Sequence, residues 1–136
     1  MAQPITYLNP TTLPDASAMG HSQITIAEAG RTAYISGQVA WQANGKPVPA
    51  TLAGQTEVVV ANSRAALEAI GATGKDIVMA RLFITGGILP NTAGIVMPQI
   101  IELFDGGKPS ITAIGVLNLA GPDLLLELEM TVRLPA

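Results

Sequence analysis

The stretch that most constrains the fold lies near the end of the chain, where Leu126, Leu128 and Met130 alternate with Glu127, Glu129 and Thr131. A period of two is the signature of a strand whose side chains point alternately to opposite faces of a sheet. One face of this strand must be covered by a core, while the other presents two glutamates to solvent or to a subunit contact. The same reasoning applies upstream. Ile24 to Glu28 sets Ile24 and Ile26 against Thr25, Ala29-Gly30-Arg31 reads as a turn, and Thr32 to Val39 reads as a return strand, predicting a hairpin. Ile77 to Thr85 is a strand-like apolar run whose Arg81 faces solvent or a neighbouring chain. Ser110 to Leu119 and Leu124 to Leu134 are strands joined by Ala120-Gly121-Pro122-Asp123, predicting a hairpin at this end as well.

Two helices interrupt the strands. Leu52 to Ile70 repeats apolar residues at Val58, Ala61, Ala65, Leu67 and Ile70, close to a 3.6-residue period. Thr51 is placed to cap its start, and Gly71 stands where helices commonly stop. Gly86-Gly87 through Pro90-Asn91 is a breaker segment. Ala93 to Phe104 forms a weaker helix whose start, judged from Pro98 and the preference of proline for the first turn, is expected near residue 97. Residues 1–20, with Pro4, Pro10 and Pro14, read as an extended lead-in. The resulting order, β-β-α-β-α-β-β in one domain over residues 1–136, predicts an α+β sheet with both helices on one face.

Composition then says what covers the other face. Charged residues are 12% of the 136 and apolar residues 49%, against about 25% charged in an ordinary soluble domain. A monomer so poor in charge would expose apolar patches, which predicts a homo-oligomer. A net charge of −3, with the basic residues scattered, argues against nucleic acid as a partner. No run of about 18 uncharged apolar residues escapes Gly and Pro turns, which argues against a membrane partner. The first residues, Met-Ala-Gln-Pro-Ile-Thr, show no charged segment leading into an apolar one, so a soluble, cytoplasmic protein is expected. The chain has no cysteine, which removes thiol nucleophiles, disulfides and thiolate metal sites.

Candidate site residues begin in the strand Ala33 to Trp41. A glycine inside a strand marks a bulge, a close approach of a ligand or backbone, or a plain bend. Ser36 and Gly37 occupy such a place, with Trp41 just beyond, either as apolar cover or as a pocket wall. No Ser-His-Asp pattern or nucleophile elbow surrounds Ser36. His21, the single histidine, carries a side chain of the type suited to proton transfer, or else is a hydrogen-bonded loop residue. One histidine without cysteines makes a poor metal site, and no metal is expected.

Several pieces, in order, resemble the Rid (YjgF) family of reactive intermediate deaminases. They are Gly20-His21-Ser22-Gln23, Tyr34-Ile35-Ser36-Gly37-Gln38, Ala69-Ile70-Gly71-Ala72, Asp76 through Ile84, Pro109, and Glu127-Leu128-Glu129-Met130. The resemblance implies a chorismate-mutase-like α+β domain, a homotrimer packed around a central barrel of sheets, and a small-molecule pocket in each cleft between subunits. It implies hydrolysis of imines and enamines with no cofactor and no metal. It also assigns Glu127 to the pocket carboxylate that orients water, and Glu129 shares its strand face.

Three departures accompany it. Family deaminases grip the substrate carboxylate with the arginine of a Pro-x-Arg motif, a task suited to a bidentate guanidinium. The corresponding residues here are Pro109-Ser110-Ile111, and Lys108 either supplies a charge instead or points elsewhere. His21 stands where a tyrosine is usual. The segment from Gly86 to Pro98 reads as longer than usual and lacks a polar residue near Met97. The expectation is a Rid-like hydrolase or deaminase using His21 and Glu127, with Ser36, Gly37, Trp41, Lys108 and Ile111 binding a substrate other than the usual imino acids. A non-catalytic trimeric metabolite binder is the alternative, and an endoribonuclease-like translation inhibitor the weaker one.

Overall fold

The computed structural model describes residues 4–136. Its order is β1 (Ile5–Leu8), β2 (Ile24–Ala27), β3 (Thr32–Gln38), α1 (Leu52–Ala69), β4 (Ile77–Thr85), α2 (Pro90–Leu103), β5 (Ser110–Val116) and β6 (Leu126–Arg133). Thr51 caps α1 as expected, its hydroxyl accepting the Gly54 N–H at 3.1 Å. The helix ends in a left-handed Gly71 at φ 70°. There Ala72 N–H reaches the Leu67 carbonyl at 2.9 Å and Gly71 N–H reaches Glu68 at 3.1 Å, so the last orphan carbonyls are satisfied.

Four strands form the main sheet in the order β3-β6-β4-β5. β6 lies antiparallel to both β3 and β4, and β5 runs parallel to β4, as a crossover through α2 demands. The alternation of β6 holds throughout: Leu126, Leu128, Met130 and Val132 are buried between half-buried neighbours. They join Ala80, Leu82 and Ile84 of β4 in a core with Val59 and Leu67 of α1 and Val96, Ile100 and Leu103 of α2. Both helices therefore cover one face. The other face, bearing Met79, Arg81, Glu129 and Tyr34, is open in the single chain, and Tyr34 is 81% exposed.

Both expected hairpins are replaced by longer-range pairings. β2 pairs with β1, a strand inside the lead-in that was expected to be merely extended, so the order gains a strand and becomes β-β-β-α-β-α-β-β. β3 takes β6 as its partner, and the turn before it is occupied. Arg133 donates to the carbonyls of Ala29 (2.6 Å) and Glu28 (3.3 Å), and Leu134 N–H to Arg31 (2.9 Å). At the other end β4 lies between β5 and β6. Helix α2 also starts earlier than expected. Pro90, not Pro98, is the proline of the first turn, and Pro98 lies inside the helix. An internal proline costs about 3 kcal/mol, which burial of Val96, Ile100, Leu103 and the adjoining Phe104, at about 1.5–3 kcal/mol each, outweighs. No helix among the described residues is long and apolar enough to cross a membrane.

Candidate functional site

His21 is positioned by a short 3-10 turn, Ser17–Met19, that ends in a left-handed Gly20 at φ 84°. Ala16 is fully buried, and its carbonyl accepts N–H bonds from Met19 (2.9 Å) and His21 (3.3 Å). A side chain at residue 20 would run into Ile101 of α2, whose Cδ1 lies 2.7 Å from where a Cβ would sit. Ser22 then bridges to Ser110, donating its N–H to the Pro109 carbonyl at 3.2 Å. These contacts lay His21 along the outer edge of β5, beside α2.

There it lines an open hollow of ≈430 Å³ with Met19, Ala93, Met97, Ile111 and Ala113. His21 is the only polar side chain of the six. Its Nδ1 is shielded from solvent and has no hydrogen-bond partner. An unpaired buried ring nitrogen carries a desolvation cost, which a compound in the hollow can relieve only once the imidazole turns toward it. A larger concavity of ≈540 Å³ between Pro47–Ala50 and Asp123 offers no such group. The Gln55 amide at its floor is satisfied by Pro49 O, Asp123 O and Leu125 N–H at 2.9, 2.7 and 2.9 Å.

Glu127 sits elsewhere. β3 leaves register after Ile35, opposite Met130, and regains it at Gln38, opposite Leu128. Ser36 and Gly37 thus face Glu129 alone, which is a β-bulge. The glycine-marked stretch is both a bulge and a close approach: a Cβ at Gly37 would collide with the Glu127 carboxylate. Gln38 Nε2 donates to the Ser36 carbonyl at 2.9 Å and pins the bulge. Glu129 forms an ion pair with Arg81, while among the described residues Glu127 has no cation partner.

His21 and Glu127 are not brought together within one chain. Ile111 pairs with Ala80, and Ala80 with Met130, so the His21 hollow lies on the helix-covered side of the sheet. Glu127 pairs with Phe83 and projects from the opposite side, and the sheet separates the two. Lys108 points away from the hollow. Its ammonium donates to the Ser17 carbonyl at 3.1 Å and is absent from the lining. Nearby, the Asp15 carboxyl is held below its usual value by hydrogen bonds from the Ser17 hydroxyl (2.7 Å) and N–H (2.9 Å), with Lys108 contributing less. Trp41 is 53% exposed. It packs against Gly121, and its carbonyl accepts the Asn62 amide at 2.7 Å, so it lines the loop rather than the hollow.

Sequence reasoning missed Met19, Ala93 and Ala113, and noted Met97 only as standing where a polar residue is usual. Ala113 was available from Ile111, two residues earlier on the same strand face. Ala93 and Met97 stand one helical turn apart, a relation hidden by starting α2 near residue 97.

A four-stranded mixed sheet with two helices on one face and a bulged third strand defines the class: an α+β domain of the YjgF type. The family model described as Endoribonuclease L-PSP matches residues 13–134, and the chain belongs to this family, the Rid (YjgF) proteins. A Rid family protein of unknown function, YyfB from Yersinia pestis, is 36% identical over 97% of this chain and 100% of its own, with a TM-score of 0.90. A YjgF-family member from Mycobacterium tuberculosis is 22% identical, covering 96% and 99% of the two chains at a TM-score of 0.64. The YjgF gene product of E. coli is 24% identical, covering 79% and 84%, at 0.65. No curated protein sequence matches the chain.

Proposed function

We propose that the chain is a small-molecule hydrolase acting on a reactive imine or enamine in a cleft between copies of itself, and that this substrate differs from the usual imino acids. The observation that carries the reading is the split site. A hollow with His21 as its one polar side chain lies on one side of the sheet, and the Glu127 carboxylate, resting on Gly37 with no cation partner among the described residues, lies on the other. Two copies, each offering one half, complete a proton-handling pair. The open sheet face around Tyr34 and Met79 supports a homotrimer that buries this apolar surface.

In such a cleft, the partner subunit's Glu127 accepts a hydrogen bond from water and aims its oxygen at the C=N carbon. As the C–O bond forms, the partner's Glu127 takes one proton of the water, the π pair moves to nitrogen, and nitrogen takes a proton held by His21; an enamine first takes up a proton at carbon to become the imine. The tetrahedral carbinolamine then collapses: the carboxyl of the partner's Glu127 returns its proton to nitrogen, the C–N bond breaks with its pair leaving as ammonia, and the hydroxyl proton passes to His21, leaving the carbonyl compound and restoring both groups. A non-catalytic binder is the second reading, favoured by Ile111 standing where the family's deaminases carry the pocket arginine. Ribonuclease activity has least support, because seven scattered Lys and Arg residues and a net charge of −3 give no phosphate-tracking surface.

The test is ammonia release from freshly generated imines, followed by complementation. His21→Ala and Glu127→Gln are each expected to be inactive. Unfolded, mixed in equal parts and refolded, they should recover about a quarter of wild-type activity, because random assembly of a ring leaves that share of two-copy sites intact. Ammonia at the buffer-control rate across the imine panel rejects catalysis, and failure of the mixture to recover activity rejects a site shared between copies.

A further inference from the structure

We infer that the compound seated in the His21 hollow carries no carboxylate: it is an uncharged imine or enamine with an apolar body, held by a single hydrogen bond to His21. The inference rests on the reading of this hollow as the substrate half of the site, and adds the class of substrate.

Five of the six lining side chains (Met19, Ala93, Met97, Ile111 and Ala113) are apolar, and none of the chain's seven Lys and Arg residues is among them. The cation nearest in sequence, Lys108, spends its ammonium on the Ser17 carbonyl and steadies the turn that carries His21. Arg81 is paired with Glu129 on the other side of the sheet. An anion entering the hollow would lose part of its water shell and meet neither a lysine nor an arginine to replace it, which makes burying the charge costly. In the assembled cleft, the partner subunit's Glu127 would add repulsion between like charges.

An uncharged compound loses nothing comparable. Its carbon skeleton buries against Ile111 and two methionines, whose flexible thioethers adapt to irregular shapes. Its nitrogen or oxygen can hydrogen-bond the His21 imidazole, the one polar side chain in the lining. A site built this way separates substrates by the penalty it imposes on charge, not by an extra attraction.

The experiment uses the intact wild-type protein and two carbonyl probes that mimic the hydrolysis product. Methyl isobutyl ketone and ketoisocaproate share a branched skeleton and differ in replacement of a methyl by a carboxylate. Because the chain has one histidine, its imidazole ring protons give an NMR signal that needs no assignment, and titration yields an affinity for each probe. The ketone is expected to move the His21 signal and to bind at least about tenfold more tightly than the keto acid. Equal or tighter binding of the keto acid overturns the inference while leaving the hollow as the binding site. If neither probe moves the signal, the hollow is not the substrate half, and the inference falls with the reading beneath it. Ile111→Arg should reverse the order of affinities. Should that variant fail to fold, the wild-type comparison decides alone.

Discussion

Gln55 holds together two loops that no regular structure connects, and its removal is the most quantitative test of the fold. The side chain is 1% exposed. Its amide donates to Pro49 O at 2.9 Å and Asp123 O at 2.7 Å, and its oxygen accepts Leu125 N–H at 2.9 Å. Gln55→Leu keeps the volume and the apolar stem but leaves two carbonyls and one N–H without partners. At about 1 kcal/mol per hydrogen bond, and more for each buried group left unpaired, the loss is about 3–5 kcal/mol. That is a large part of the roughly 5–15 kcal/mol that holds a domain together. With a urea slope of about 2 kcal/mol per molar, the midpoint should fall by about 2 M. The damage should also be local at first. Trp41, the single tryptophan, packs against Gly121 of the freed loop, so its fluorescence should become more easily quenched by acrylamide before global unfolding. A loss below about 1 kcal/mol, or an unchanged Trp41 signal, would refute the argument that this amide ties the two loops.

Other outcomes follow from single contacts. Gly37→Ala should destabilise the fold by about 1–3 kcal/mol through collision with the Glu127 carboxylate, and most of that loss should vanish in the Glu127→Ala background. Equal losses in both backgrounds by urea unfolding would deny the contact. Ser63→Ala should stabilise the protein by about 0.5–1.5 kcal/mol, since the Ser63 hydroxyl is buried in α1 without a partner and alanine is the better helix former; a lower melting temperature would contradict this. Asp15, whose carboxyl is held below its ordinary value of 3.8, contributes stability above that pH and loses it as pH falls through the lower folded-state value. Asp15→Asn should therefore separate from wild type in urea midpoint at neutral pH and converge with it in strong acid. A gap that widens on acidification would reverse the sign.

Much of this architecture could be read from residue order, and the remainder had physical reasons for staying hidden. β4 runs over the residues its apolar run predicts, Thr51 caps α1, and the alternation in β6 divides core from open face. Side-chain periodicity reports which face a residue occupies, but not which strand lies beside it. That is why β2 and β3 read as a hairpin, although Arg133, from the far end of the chain, occupies the carbonyls of the turn between them. A local rule about proline placed the start of α2 too late, because it could not weigh the buried row Val96, Ile100 and Leu103 against Pro98. Ile111 and His21, expected at the cleft, do line one hollow. Their separation from Glu127 by a sheet was not legible, since it depends on register across three strands. Lys108 looked available until the Ser17 carbonyl was found to hold it.

The contact between Gly37 and the Glu127 carboxylate also sets the order in which descendants of this chain can drift. A methyl group at 37 is penalised while a long acid stands at 127, whereas a shorter residue at 127 opens the way to a small residue at 37. The easier route therefore changes 127 first, and a lineage that has taken a side chain at 37 regains the acid most cheaply by restoring the glycine beforehand.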